Sequence, residues 1–188
     1  AILSAQTGFP SYYCDDYTDR MNYFTDEWKN MQETFEGIYS GYLGSAAQMH
    51  NVLYFLENFH TEDTLYLADP VMGDNGQRIR IFTDELLESM KELTRHAGVI
   101  TPNLTEAAFL LGRDYKDLPG GGVHSAHDEQ ALRRLAEDLS LNGKRSVALT
   151  GASLSPGKTG AMCFDAKTGK TEAVQTKFVV HPLHGTGD

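Results

Sequence analysis

Short apolar runs alternate along this chain with longer stretches in which apolar residues recur every three or four positions. Residues 1–6, 37–43, 64–71, 98–101 and 146–150 are brief, apolar and bounded by polar or glycine positions, the pattern of buried strands. Residues 27–35, 45–60, 83–96, 104–111 and 128–141 have helical spacing, as at Leu86, Leu87, Met90 and Leu93. This alternation predicts an α/β fold whose mostly parallel sheet is covered by helices on both faces, a three-layer αβα arrangement. After Thr150 the pattern changes. Residues 159–165 and 171–178, joined by Ala166-Lys167-Thr168-Gly169-Lys170, predict a β-hairpin at the sheet edge. Asn142-Gly143 marks a helix end, Pro119 and the three glycines after it a surface loop, and no internal repeat is present.

Composition narrows the function classes. With 188 residues, 40% of them hydrophobic, the chain can bury a core of its own, and one domain is the expectation. Sixteen Lys and Arg against 26 Asp and Glu give a formal charge of −10, which opposes nonspecific binding to nucleic acid or an anionic membrane. Any phosphate is then held locally, by backbone amides and a metal. No apolar run is long enough to span a bilayer, and Ala1-Ile2-Leu3-Ser4 lacks the features of a signal peptide, so a cytoplasmic protein is expected. Cys14 and Cys163 lie far apart without metal-type spacing and are read as packing residues.

In such a sheet, ligands bind past the carboxyl ends of the strands, and residues of chemical interest follow several of them. Asp69 and Asp74 in Asp69-Pro70-Val71-Met72-Gly73-Asp74 can hold a hard cation such as Mg²⁺, or simply organise a turn. In Thr101-Pro102-Asn103-Leu104-Thr105-Glu106 the spacing of Asn103 and Glu106 is that of a helix capping box. The same residues place an amide and a carboxylate at a helix N-terminus, beside any metal-bound phosphate. Thr150-Gly151 suits a phosphate or monovalent cation, or an ordinary exit from a strand. Gly185-Thr186-Gly187-Asp188 offers unobstructed backbone amides for an anion next to a carboxylate that could take a hydroxyl proton, or a glycine turn with a capping aspartate.

Taken in order, these motifs resemble the successive signatures of the ribokinase-like superfamily in its vitamin B6 kinase branch, the pyridoxal/pyridoxamine kinases of low-GC Gram-positive bacteria. Ser4-Ala5-Gln6-Thr7-Gly8 and Ile38 to Ser45 resemble the family's substrate-side segments. The resemblance implies a ribokinase-like fold and ATP-dependent phosphorylation of the 5′-hydroxymethyl group of pyridoxal, pyridoxine or pyridoxamine. It assigns Asp188 as general base and Gly185, Thr186 and Gly187 as the anion hole. Asp74 and Glu106 serve Mg²⁺. Asp69, Thr101 and Thr150 match monovalent-cation (K⁺ or Na⁺) and nucleotide contacts, with Gly151 beside them, Asn103 near the phosphates, and Val179 and His181 beside the adenine. Thr7 and Tyr42 match positions that touch the pyridine ring.

The resemblance also implies a strand before Ala1 and helices after Asp188, so residues 1–188 are expected to be a single ribokinase-like domain incomplete at both termini. Where relatives carry a substrate-capping tyrosine, this chain has Gln77-Arg78-Ile79-Arg80-Ile81. His124 and His127 are read as solvated or helix-capping residues, and the spacing of His181 and His184 alone reads as packing or solvent positions. Tyr12, Tyr13, Tyr17, Tyr23, Phe24 and Trp28 form either a homodimer face or core. The expected partners are ATP, a B6 vitamer and a second copy of the chain. Hydroxymethylpyrimidine or sugar phosphorylation, and a non-catalytic nucleotide- or vitamer-binding module, are the alternatives.

Overall fold

The computed structural model describes residues 2–5, 13–119 and 127–179. Strands β1 (Ile2–Ala5) and β2 (Tyr13–Asp16) form an antiparallel ribbon separate from the main sheet, followed by α1 (Thr18–Asn30). Next come β3 (Gly37–Ser40), α2 (Ala46–Phe59), β4 (Leu65–Ala68), a small ribbon of β5 (Gly73–Asp74) and β6 (Gln77–Arg78), and α3 (Asp84–Arg95). The remainder is β7 (Val99–Ile100), α4 (Leu104–Leu111), α5 (Glu129–Leu139), β8 (Ser146–Thr150), β9 (Lys158–Asp165) and β10 (Lys170–Lys177). The main sheet has the order β10-β9-β8-β7-β4-β3; β3, β4, β7 and β8 are parallel, and β9 and β10 are the antiparallel edge hairpin.

Local chemistry explains where the helices start. Ser45, Thr83, Asn103 and Asp128 each sit extended at an N-cap, and their side chains accept backbone N–H groups of the following turn. The helix expected at 27–35 instead spans Thr18–Asn30. Its start is marked by Asp16, whose Oδ1 accepts the Thr18 N–H at 2.8 Å. Its end is enforced by Gln32, which takes a left-handed φ of 59°. The aromatic cluster divides: the Trp28 ring meets Phe35 and Phe55 edge-on, whereas Tyr23 and Phe24 are exposed. The run at 1–6 was expected in the parallel sheet; β1 pairs instead with β2, because an apolar run specifies a strand without specifying its partner.

The core is built from Met49, Tyr66, Met90, Leu93, Ile100, Leu132, Leu149 and Met162. Burial alternates along β8, with Val147 and Leu149 buried and Ser146, Ala148 and Thr150 half-buried. Strands β3, β4, β7 and β8 stand side by side in chain order, and the helices that connect them pack as a layer against the sheet.

Arg145 fastens this helical layer. It is 5% exposed, and its Nε and Nη1 donate to the carbonyls of Leu139 and Thr94 at 2.8 and 2.5 Å, at the C-terminal ends of α5 and α3. Burial pulls its guanidinium down to about 10, so it stays charged at neutral pH and complements both helix dipoles. Arg145→Met is expected to lower unfolding free energy by roughly 1–3 kcal/mol, since buried carbonyls lose their donors. Denaturant titration measures this, and Arg145→Lys should recover little because a single ammonium lacks the planar fork.

Candidate active site

The carboxyl ends of β4, β7 and β8 lie side by side, which brings Asp69, Thr101 and Thr150 to one edge of the sheet. Thr101 donates its hydroxyl to Asp69 Oδ1 at 3.0 Å, and Tyr39, from β3, donates to Asp69 Oδ2 at 3.3 Å. The Thr150 N–H donates to the Pro102 carbonyl at 2.9 Å, tying the end of β8 to the Thr101-Pro102-Asn103 segment.

The start of α4 carries the densest polar network. Asn103 Oδ1 accepts the Glu106 N–H at 3.0 Å, and Glu106 Oε2 accepts the Asn103 N–H at 2.7 Å, so the capping box is fully formed. It also does more than cap. Glu106 Oε1 accepts the Met72 N–H at 3.1 Å, and Asn103 Nδ2 donates to the Gly73 carbonyl at 2.8 Å. The box thereby holds the Asp69-to-Asp74 segment against the N-terminus of α4. Glu106 is 4% exposed, and desolvation pushes its carboxyl up to about 7, opposed by the backbone donors of Asn103 and Met72 and reinforced by the Asp69 charge.

Asp74 has a different environment. It is exposed at the end of β5, where its two oxygens accept the backbone and side-chain N–H groups of Asn75 at 2.8 Å each. Asn75 and Gly76 both have positive φ, 51° and 74°, which is the two-residue turn that an Asn-Gly pair favours. Gly73 is required for close approach: a Cβ there would lie 2.3 Å from the Gln77 carbonyl oxygen. Thr105 completes the support by accepting the Gly76 N–H at 2.8 Å.

The structure thus brings two hydrogen-bonded pairs, Asp69 with Thr101 and Asn103 with Glu106, to the same edge of the sheet, with Thr150 and Gly151 beside them and Asp74 on the adjoining hairpin. Tyr42 follows β3 at the same edge and is 42% exposed. Val179 is exposed beyond β10. Thr7, His181 and the anion-hole and base positions Gly185, Thr186, Gly187 and Asp188 lie outside the described residues. Tyr39, Met72 and Thr105 were missed by sequence reasoning. The Asn75-Gly76 pair was a legible hairpin signal that would have found the support at Thr105; a tyrosine thirty positions from the aspartate it touches leaves no local signal.

All the side chains suited to a metal here are oxygen donors, as Mg²⁺ requires. Among the described residues, no three His, Cys, Asp or Glu side chains converge into a closed metal cluster.

A model of the phosphomethylpyrimidine kinase family matches residues 31–188. Pyridoxal kinase PdxY from Granulibacter bethesdensis is 27% identical over 158 residues, covering 81% of this chain and 52% of that protein. Pyridoxal kinase PdxY from Actinobacillus pleuropneumoniae is 40% identical over 85 residues, covering 41% of this chain and 28% of that one. A candidate phosphomethylpyrimidine kinase from Bacteroides thetaiotaomicron, crystallised in an orthorhombic form with pyridoxal, is 32% identical with a TM-score of 0.85. The match covers 99% of this chain and 63% of that one. The chain spans about half, or less, of the length of these curated relatives.

Proposed function

We propose that this chain, which belongs to the phosphomethylpyrimidine kinase family, forms part of a Mg-ATP-dependent kinase that phosphorylates the 5′-hydroxymethyl group of pyridoxal, pyridoxine or pyridoxamine. The observation that carries the reading is the pair of hydrogen-bonded couples, Asp69 with Thr101 and Asn103 with Glu106, at the carboxyl edge of the sheet. They hold carboxylates that can carry a cation and a helix N-terminus in fixed relation, and a cation with a helix N-terminus is what stabilising charge on a transferring phosphoryl group requires.

In this reading Asp74 and Glu106 serve Mg²⁺, directly or through water, and the metal neutralises charge on the nucleotide phosphates. Asn103 lies near the phosphates. Asp69, Thr101 and Thr150 take a monovalent cation, K⁺ or Na⁺, and together with Gly151, Val179 and His181 line the nucleotide side. Thr7 and Tyr42 face the pyridine ring. Gly185, Thr186 and Gly187 give the anion hole, and Asp188 takes the proton from the attacking hydroxyl. A cytoplasmic homodimer completes the proposal. Tyr23 and Phe24 on α1 present exposed aromatic surface for the second copy, and no helix among the described residues is long and apolar enough to cross a membrane.

Hydroxymethylpyrimidine is the second reading, favoured by the family whose model matches. Turnover with Mg-ATP and each candidate acceptor separates the two, and faster phosphorylation of hydroxymethylpyrimidine than of any B6 vitamer would overturn the first. Absence of turnover with every acceptor in the chain extended by its natural flanking sequence would leave a binding module. In that extended chain, Tyr42→Ala is expected to raise KM for pyridoxal about tenfold while KM for ATP stays nearly constant. An equal rise for both substrates would assign Tyr42 to the fold.

A further inference from the structure

Between β8 and β9 the sequence Gly151-Ala152-Ser153-Leu154-Ser155-Pro156-Gly157 has the composition of a loose surface loop. Its backbone is instead tightly satisfied. The Ala152 N–H donates to the Gly160 carbonyl at 3.0 Å. The Ala152 carbonyl accepts Gln175 Nε2 at 2.8 Å, and the Leu154 N–H donates to Gln175 Oε1 at 2.9 Å. Between them, the Ser153 N–H donates to His127 Nδ1 at 3.2 Å and the Ser153 carbonyl accepts the His127 N–H at 2.6 Å. Two side chains from opposite sides, one on the edge hairpin and one just before α5, thus hold three consecutive loop residues.

The hairpin is shaped to permit this. Gly160 lies opposite Gln175 in the β9–β10 register, and a Cβ at Gly160 would lie 2.7 Å from Gln175 Nε2 and 1.8 Å from the Val174 carbonyl oxygen. Only glycine leaves room for the glutamine to cross the strand pair and reach the loop. His127 is half-buried, and desolvation lowers its pKa, which keeps Nδ1 free to accept the Ser153 N–H. Upstream of the clamp, Gly151 turns out of β8 with a φ of 71°, with nothing within 4 Å of where its Cβ would stand. The clamped loop therefore begins at an open strand end, and that strand end is bonded through Thr150 to Pro102 in the candidate active site.

We propose that His127 and Gln175 are positioning residues that fix the Thr150–Gly151 strand end for the nucleotide, with Gly160 making room for Gln175. The inference rests on the kinase reading above for the identity of the ligand. A loop already held in its binding conformation loses little conformational freedom when the nucleotide arrives, so releasing the clamp costs affinity for nucleotide and for nothing else.

The test uses the chain with its natural flanking sequence. His127→Ala and Gln175→Leu are each expected to speed amide exchange at Ser153 and Leu154 and to weaken Mg-ADP binding, measured calorimetrically, by about tenfold, equivalent to ~1.4 kcal/mol. KM for pyridoxal should not move. His127→Asn, whose Oδ1 can stand in for Nδ1 as acceptor, is expected to restore both slow exchange and nucleotide affinity, which a merely structural role for the ring would not predict. Faster exchange with unchanged Mg-ADP affinity, or an equal loss of affinity for pyridoxal, overturns the positioning role and leaves the kinase reading standing. Failure of the unaltered protein to bind Mg-ADP overturns the kinase reading and this role together. If His127→Ala does not fold, Gln175→Leu and His127→Asn decide the matter by the same measurements.

Discussion

Replacing Asp188 by asparagine in the chain with its natural flanking sequence is expected to preserve ATP binding and cut turnover of pyridoxal by roughly two to four orders of magnitude, the usual worth of a positioned general base. The substitution keeps the size and polarity of the side chain and, in the proposed reading, removes its ability to take the proton of the attacking hydroxyl. Residues 1–188 alone are expected to be nearly inactive for a separate reason. In the proposed reading the Gly185 to Gly187 amides act as anion-hole donors whose direction a helix beyond Asp188 would fix, and preorganised donors stabilise the transferring phosphoryl group only when that direction is fixed. Assaying residues 1–188, the extended chain and extended Asp188→Asn side by side with Mg-ATP and pyridoxal distinguishes the two effects. Robust turnover by residues 1–188 would show that no further helix is needed, and unaltered rates in Asp188→Asn would remove Asp188 as the base.

The elements that sequence pattern located well are those whose signals are local. The helix expected at 104–111 is found at Leu104–Leu111, because Asn103 and Glu106 announce its start and Gly112, with a φ of 64°, stops it. The edge hairpin is found within a residue of its expected limits, since its strands face each other across a four-residue turn with little freedom of register. What escaped was non-local. Whether residues 2–5 join the parallel sheet or a separate ribbon depends on a partner strand eleven positions away, and nothing within either strand encodes that choice. The start of α1 was misplaced because its turn of Asp16 and Thr18 was overshadowed by the stronger apolar spacing around Trp28.

The candidate site shows the same division. Capping box and metal-phosphate site stood as alternative readings of Asn103 and Glu106, and the structure realises the box in full without excluding the other role. A capping box accepts glutamine as well as glutamate at this position, but the structure asks more of residue 106. Both carboxylate oxygens of Glu106 accept backbone N–H groups, from Asn103 and from Met72, and an amide offers only one acceptor for the two. That second donor arrives from residue 72, thirty-four positions away, where no spacing rule could predict it.

Glu106 consequently links stability to pH in a direction opposite to that of most carboxylates. Burial pushes its carboxyl up to about 7 in the folded chain, against 4.5 for the unperturbed group. Between those values the native state holds a proton that the unfolded state has released, so unfolding free energy falls as pH rises through that window and is level on either side. A rise from 4.5 to about 7 corresponds to free energy on the order of 3 kcal/mol, at ~1.4 kcal/mol for each tenfold change in proton affinity. His127 works the other way: its lowered pKa means the unfolded state binds the extra proton, and stability gains as pH rises toward 6.5. The informative quantity is therefore the difference between the unaltered chain and Glu106→Gln in metal-free buffer, followed by urea denaturation from pH 4 to 8. The unaltered chain is expected to lose stability across the window relative to the variant, which lacks the titration. An identical pH profile for the two would mean that Glu106 is ionised at ordinary carboxylate pH despite its burial. In the extended chain, Glu106→Gln is expected to lower turnover at limiting Mg²⁺ by about 10–100-fold, the scale on which residues that orient a metal site act. Part of that loss should be recovered as Mg²⁺ is raised. Turnover that falls only with the folded fraction, at every Mg²⁺ concentration, would leave capping and the tether to Met72 as the whole work of this residue.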